Sequence, residues 1–311
     1  MSAIHARIEE LGRQGALALP EFDRATIEAA HAFMSAEEQK TSFLFSGWCQ
    51  TALPHRRLKD DEVWTLSTDH VTLMVEPGSV QDANKTVRRV GVPYGSRARL
   101  ILLYLQSEAI KTNSREIELG RSLRSWLGKL GVPIGGKSLK EVREQSLRIS
   151  RCRMTFQIVS AGKVGFVNQN IVDTAIFSDA LEGDLLDTVK LSETFYAQLR
   201  QHCVPLQETA ISAISNNSMA LDVYCWLAYR LHVLDKPTPI TWSALHAQFG
   251  AGMAERRHFK EHFISCLRLA MAVYPEAQVD IERACLVLRP SSPPVPPKRV
   301  LQSLKPIETR R

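Results

Sequence analysis

The chain has 311 residues, 39 Lys and Arg against 33 Asp and Glu, a net charge of +6, and 44% hydrophobic residues. That length holds two domains with separate cores, and that composition is soluble and globular. No apolar run reaches the roughly 18 residues of a membrane span. Glu9 and Glu10 sit in a start without an apolar block, which argues against a signal peptide.

In chain order, Ile4, Ile8 and Leu11, and then Ile27, Ala30 and Met34, recur at helical spacing with Pro20 between them. Val63–Leu66 and Val71–Val75 are β-rich runs around Thr68–His70, which predicts a hairpin ended by Pro77-Gly78. Ser96 is placed to cap an apolar helix through Ile110, burying Leu100, Leu103, Tyr104 and Ala109. Ser114 is placed to cap a short helix from Arg115 to Leu119, and Ser122 to Leu130 predicts another. Gly131, Gly135 and Gly136 supply a turn, and Ser138 opens a helix rich in Lys and Arg.

On that basic helix, at 100° per residue, Leu139, Val142, Ser146 and Ile149 share one side. Lys140, Glu144, Arg148 and Arg151 fall on the opposite side, with Arg143 flanking, so these cations are expected to face outward. Met154–Ser160 and Val164–Val172 then read as a hairpin around Ala161-Gly162-Lys163. Helices ending in a basic one, followed by a hairpin, predict a winged helix-turn-helix, which lays its basic helix in the DNA major groove.

The order recurs after a connecting segment, 179–187. Asn217 or Ser218 caps Met219–Leu234, Thr241 caps Trp242–Phe249, and Arg256–Val273 is a second cationic helix. Its Phe259, Phe263, Cys266 and Ala270 face inward, and Arg257, Glu261, Ser265 and Arg268 face outward. Gln278–Ile281 and Cys285–Leu288 close it as a hairpin. The fold expected is α+β: two tandem winged helix-turn-helix domains, mainly helical, with small antiparallel hairpins. The boundaries expected are 1–185, 186–290 and a disordered Pro-rich basic tail, 291–311.

The candidate DNA contacts are Lys137, Lys140, Arg143, Arg148, Arg151, Arg153 and Lys163 in the first unit, and Arg256, Arg257, Lys260 and Arg268 in the second. Arg and Lys hold phosphates, and Arg reads guanine through two hydrogen bonds. A competing motif overlaps them: Gly131–Ser138 matches the phosphate-loop pattern G-x-x-x-x-G-K-[ST] letter for letter. That loop needs a strand before its first Gly, and the preceding residues are patterned as a helix instead. Cys49, Cys152, Cys203, Cys225, Cys266 and Cys285 are scattered without Cys-x-x-Cys, as reduced core residues of a cytoplasmic protein are. His258 and His262 flank Glu261 in an order that fits no zinc motif. No metal, no cofactor and no enzymatic activity are therefore expected.

Gly91–Leu100, Glu108–Thr112, Ser114–Leu123, Leu130-Gly131, Gly135-Gly136 and Arg143-Glu144-Gln145 together resemble the plasmid-encoded RepA replication initiator family, densely from about Val90 to Ile176. The resemblance implies an initiator that binds repeated sites, or iterons, in double-stranded plasmid origin DNA. It implies helix opening, recruitment of host helicase and initiator proteins, and a homodimer among its states. It carries DNA contact onto Lys137 through Lys163 alone; in the second unit those contacts rest on charge patterning. A winged-helix repressor, a phosphate-loop NTPase and a structural partner protein are the alternatives.

Overall fold

The computed structural model describes residues 3–37, 40–68, 71–81, 84–118, 128, 132, 135–160, 163–178, 185–253, 255–297 and 299–300; for 158–160, 163–169, 176–178 and 185–187 it describes the backbone alone. The chain divides into two compact units, and neither is a continuous stretch ending near 185. Residues 1–42 join 204–303 in one, and residues 43–203 form the body of the other. The boundary expected at 185 thus misplaces the N-terminal helices, which belong with the C-terminal unit.

The reason lies in their apolar faces. Ala3–Leu17 and Arg24–Met34 pack together, and Arg24–Met34 also packs on Glu208–Ala213 and Arg256–Ala272. Asp23 caps the second helix by accepting from Thr26 N at 2.9 Å. Arg13 clamps Glu28 with both ends of its guanidinium, at 2.8 and 2.6 Å. His5, itself buried, lies 2.8 Å from the Ala272 carbonyl. An amphipathic helix is stable only where its stripe is covered, and here the cover comes from more than 200 residues away.

This unit continues with the helices Ser218–Arg230, Trp242–Phe249 and Arg256–Ala272. Asn217 and Thr241 cap the first two through Ala220 N and Ala244 N, as their sequence positions predict. The strand Thr238–Thr241 precedes Trp242–Phe249 directly. It pairs antiparallel with Cys285–Leu288, whose other edge takes Val279–Ile281. Phe249, Phe259 and Phe263 form the aromatic centre, with ring centroids 5.3 and 5.5 Å apart. The expected disorder of 291–311 is corrected for its first part. Pro294 O accepts from Gln207 Nε2 at 2.6 Å, Ser292 O accepts from Tyr274 Oη at 2.7 Å, and Val295 is buried. The remainder, from 301, lies outside the described residues.

In the other unit the long helix Gly95–Thr112 is the hub. Leu100–Ser107 are all buried, and Gln106 Oε1 and Ser107 Oγ accept from the backbone N–H groups of Phe45 and Phe43 at 2.8 Å each. Phe45, Trp48, Phe156 and Phe195 close the core with edge-to-face rings. The helix begins at Gly95, two residues before the start that a Ser96 cap implies, and Ser96 is inside it and not its cap. The predicted hairpin forms as Trp64–Ser67 and Val71–Glu76. It extends through Arg153–Ser160 to Lys163–Gln169 as one antiparallel sheet.

Three further expectations change. Residues 115–118 are not a helix: Glu116–Glu118 is a strand, with Ile117 buried between two exposed glutamates, and it pairs with Leu185–Leu191; Leu119 lies outside the described residues. That exposed-buried-exposed alternation is the period of a strand, and Lys190 fastens it to Glu116 at 2.7 Å. The supposed connecting segment is flanked by a second pairing, Val172–Ser178 with Leu185–Leu191; 179–184 lie outside the described residues. Pro77-Gly78 does not end the β-structure, because Gly78–Gln81 turns at once into a hairpin with Val87–Val90. The expected helix 122–130 lies outside the described residues apart from Gly128.

Candidate nucleic-acid interface

The basic helix runs from Gly136 to Arg151, with Gly135 as an N-cap that has no side chain to offer. Val142, Gln145, Ser146, Arg148 and Ile149 are buried. Three of these, Val142, Ser146 and Ile149, are the side assigned to packing from the sequence. Arg148 is a correction: its side chain is 4% exposed and it does not stand outward.

Its guanidinium makes four hydrogen bonds. Nη1 donates to Val92 O at 3.1 Å, Nη2 donates to Asp60 Oδ1 at 3.0 Å and Glu144 Oε1 at 2.9 Å, and Nε donates to Glu144 Oε1 at 3.2 Å. Its Cζ lies 5.2 Å from the centre of the Tyr94 ring. One turn earlier, Gln145 Oε1 accepts from Tyr94 N at 2.8 Å. The Gly91–Gly95 motif and the Arg143–Gln145 motif, over 40 residues apart in sequence, are thus one packed contact. At Gly91 the approach is close, since a Cβ there would overlap Arg148 Nη1 and reach within 2.7 Å of Asp60 Oδ1. Desolvation works to raise the Asp60 carboxyl, but hydrogen bonds from Arg148 and Arg57 outweigh it and hold the group below its ordinary range.

A helical wheel cannot reveal this. Arg148 lies on the flank next to Gln145, and that flank is covered by the extended segment 91–94 and by Asp60. The planar fork of an Arg lying in such a cleft reaches Val92 O, Asp60 and Glu144 at once, which the single ammonium of a lysine could not do with the same geometry.

Beyond Arg148 the helix borders an open groove of about 640 Å³. Lys140, Arg143, Leu147 and Arg151 line one wall. The hairpin Gly78–Val90 supplies the other through Val80, Gln81, Arg88 and Arg89, and Arg57 and Asp60 complete it. Arg57 is neutralised by Asp60 at 3.1 Å and Glu144 at 3.6 Å. Lys140, Arg143, Arg151, Arg88 and Arg89 have no acidic partner among the described residues. Five unneutralised cations around one concave surface give it a positive potential, which attracts polyanions.

Lys137 is exposed on the first turn of the helix, and Arg153 is exposed at the start of the strand that follows it. Lys163 is the first residue of its strand, opposite Ser160. In the other unit, Arg256 and Arg268 are exposed, Arg257 pairs with Glu261 at 3.2 Å, and Lys260 stands 4.3 Å from the Trp242 ring centre while donating to Arg283 O at 3.0 Å. The cluster that sequence reading missed is Arg57, Arg88 and Arg89. Its available signal was two short runs, Gly78–Gln81 and Val87–Val90, around a turn at Asn84-Lys85, where Lys85 has φ of 61°.

Of the phosphate-loop match, Gly131, Pro133 and Ile134 and most of the segment before them lie outside the described residues; Gly135 is the helix N-cap and Gly136–Ser138 its first turn. Among the described residues no group of His, Cys, Asp and Glu could hold a metal ion, and no helix is long and apolar enough to cross a membrane. None of the six cysteines is in a disulfide, and burial pushes Cys152 up to about 12 and Cys266 to about 11.

Residues 92–243 match the sequence profile of a family described as plasmid encoded RepA protein. No curated protein sequence matches the chain. Among solved structures, domains 2 and 3 of RctB are similar in fold: TM-score 0.52 at 12% identity, over 79% of this chain and 99% of that one. A second crystal structure of RctB domains 2–3 aligns with TM-score 0.45 at 12% identity, over 77% and 93%.

Proposed function

Because residues 92–243 belong to the plasmid encoded RepA family of replication initiators, we propose that this protein starts plasmid replication by binding repeated duplex sites in its origin. Each unit works as a winged helix-turn-helix. The basic helix Gly136–Arg151 enters the major groove of one repeat, and Arg256–Ala272 reads or braces a neighbouring stretch. Lys137, Lys140, Arg143, Arg151, Arg153 and Lys163 supply phosphate and base contacts in the first unit, and Arg256, Arg257, Lys260 and Arg268 in the second. Arg148 sets the helix position from inside. Binding deforms and opens the duplex, and the bound protein recruits the host helicase and initiator proteins. A homodimer is among its states. No covalent step belongs to this reading, which places the protein in the cytoplasm with its plasmid.

The observation that carries it is the overlap of family and charge. The matched segment contains the basic helix, and that helix borders a groove with five unneutralised cations. About six phosphate contacts would cost affinity roughly three decades between 50 and 200 mM salt. The test is a footprint of the full chain on the parental replicon, repeated with Arg151→Ala. Protection is expected over the repeated sites, with the log–log salt slope shallower by about 0.9 in the variant. Absence of protection at the origin, or ATP hydrolysis that Lys137→Ala abolishes, overturns the proposal.

A further inference from the structure

The arginine hairpin, Gly78–Gln81 with Val87–Val90, lies before the segment that matches the family, so family membership does not account for it. We infer that this hairpin is a second DNA-binding element, which grips the sugar–phosphate backbone of duplex DNA beside the stretch occupied by the basic helix. The inference rests on the reading of that helix as a DNA contact.

Three features carry it. The hairpin is rooted on the helix: a Cβ at Gly78 would overlap the Arg151 carbonyl, so the strand passes against the helix C-terminus at a distance only Gly permits. Its position relative to Lys140, Arg143 and Arg151 is therefore set by backbone packing. Second, the register pairs Val80 with Arg88 and Ser79 with Arg89, so successive arginines leave opposite faces of the ribbon. Arg89 bends to its own strand partner, donating to Ser79 Oγ at 3.3 Å, and neither Arg has an acidic partner among the described residues. Third, the ribbon beyond its root is exposed from Asn84 to Arg89, with Val87 at 68%. A narrow, uncovered ribbon with a cation on each face and the exposed Val87 next to them suits a duplex backbone, which offers phosphates beside an apolar sugar. Phosphate contacts of this kind orient a protein on DNA without reading sequence.

The experiment measures binding of the full chain to an origin duplex and to an unrelated duplex of equal length, from 50 to 200 mM salt. The double variant Arg88→Ala, Arg89→Ala is expected to weaken both complexes by the same factor, roughly tenfold at 100 mM, and to make both salt slopes shallower by about 1.8. Arg88→Lys with Arg89→Lys is expected to keep the slopes, since charge is retained. Wild-type affinity and slope in the alanine variant would overturn the inference, as would a loss confined to the origin duplex. If the wild-type chain shows no preference for the origin while both complexes still depend on the two arginines, the origin reading falls and the hairpin assignment stands.

Discussion

In the helix Gly136–Arg151, Lys140, Arg143 and Arg151 border an open groove without acidic partners among the described residues, and Arg148, with four hydrogen bonds, is buried as a strut. In Arg256–Ala272 the arrangement is reversed. Arg257 is answered by Glu261 one turn on, Lys260 lies over Trp242 and donates to Arg283 O, and only the ends, Arg256 and Arg268, stand exposed without an acidic partner among the described residues. Each helix precedes a hairpin, and each carries a similar density of positive charge in sequence. Charge count alone does not distinguish them. The difference is where the neutralising groups come from: an internal carboxylate and a distant loop concentrate on one Arg in the first, and nearby residues answer the central cations in the second. The first helix leaves most of its charge unneutralised among the described residues.

Removing the strut should have the largest effect. Arg148→Ala leaves Asp60 and Glu144 with only the more exposed Arg57 between them and takes the Arg148 donor from Val92 O, and should cost about 3 kcal/mol of unfolding free energy. Arg148→Lys should recover less than half of that, because one ammonium cannot reproduce the fork. Urea denaturation reads both; an Arg148→Ala protein of native stability would erase the contrast between the two helices.

Gly91→Ala should cost about 2 kcal/mol, because its methyl group must displace the Arg148 guanidinium or Asp60. Gly135→Ala, with open space around it, should change stability by under about 0.5 kcal/mol. Equal melting shifts in the two variants would contradict the close approach at Gly91.

The strut should also be sensitive to acid. Asp60 has its folded-state pKa lowered, so its contribution is present above the ordinary value of 3.8 and is lost as pH falls through the lower folded value. Water screens this part-exposed carboxylate, so the effect should stay under about 1 kcal/mol. Asp60→Asn should flatten the stability profile in that window, and an unchanged profile would mean that Arg148 leans on Glu144 alone.

The smallest effect belongs to the second helix. Arg257→Ala breaks an exposed pair worth about 0.3–0.5 kcal/mol and should barely move the melting temperature. If it lowers DNA affinity more than Arg151→Ala does, the ranking of the two helices is inverted.

Much of the local structure was legible from residue order. The caps at Asn217 and Thr241, the helix Arg256–Ala272, the hairpin closing it and the paired runs around Thr68 all form where spacing and turn chemistry place them. Caps and periodicity act within a few residues, so a sequence window contains their causes. The basic character of Gly136–Arg151 and its likeness to replication initiators were equally readable, because composition and motif are properties of the chain as written.

Other features depended on partners far along the chain. Glu116–Glu118 became a strand because Leu185–Leu191 was there to pair with it. The N-terminal helices joined the C-terminal unit because its helices could cover their apolar stripes. Arg148 turned inward because Val92 and Asp60, 56 and 88 residues away, met its donors. Periodicity says which side of a helix is apolar; whether a polar flank meets water or a buried acceptor is decided by long-range packing, and here that packing decided which cations of the basic helix stay unneutralised.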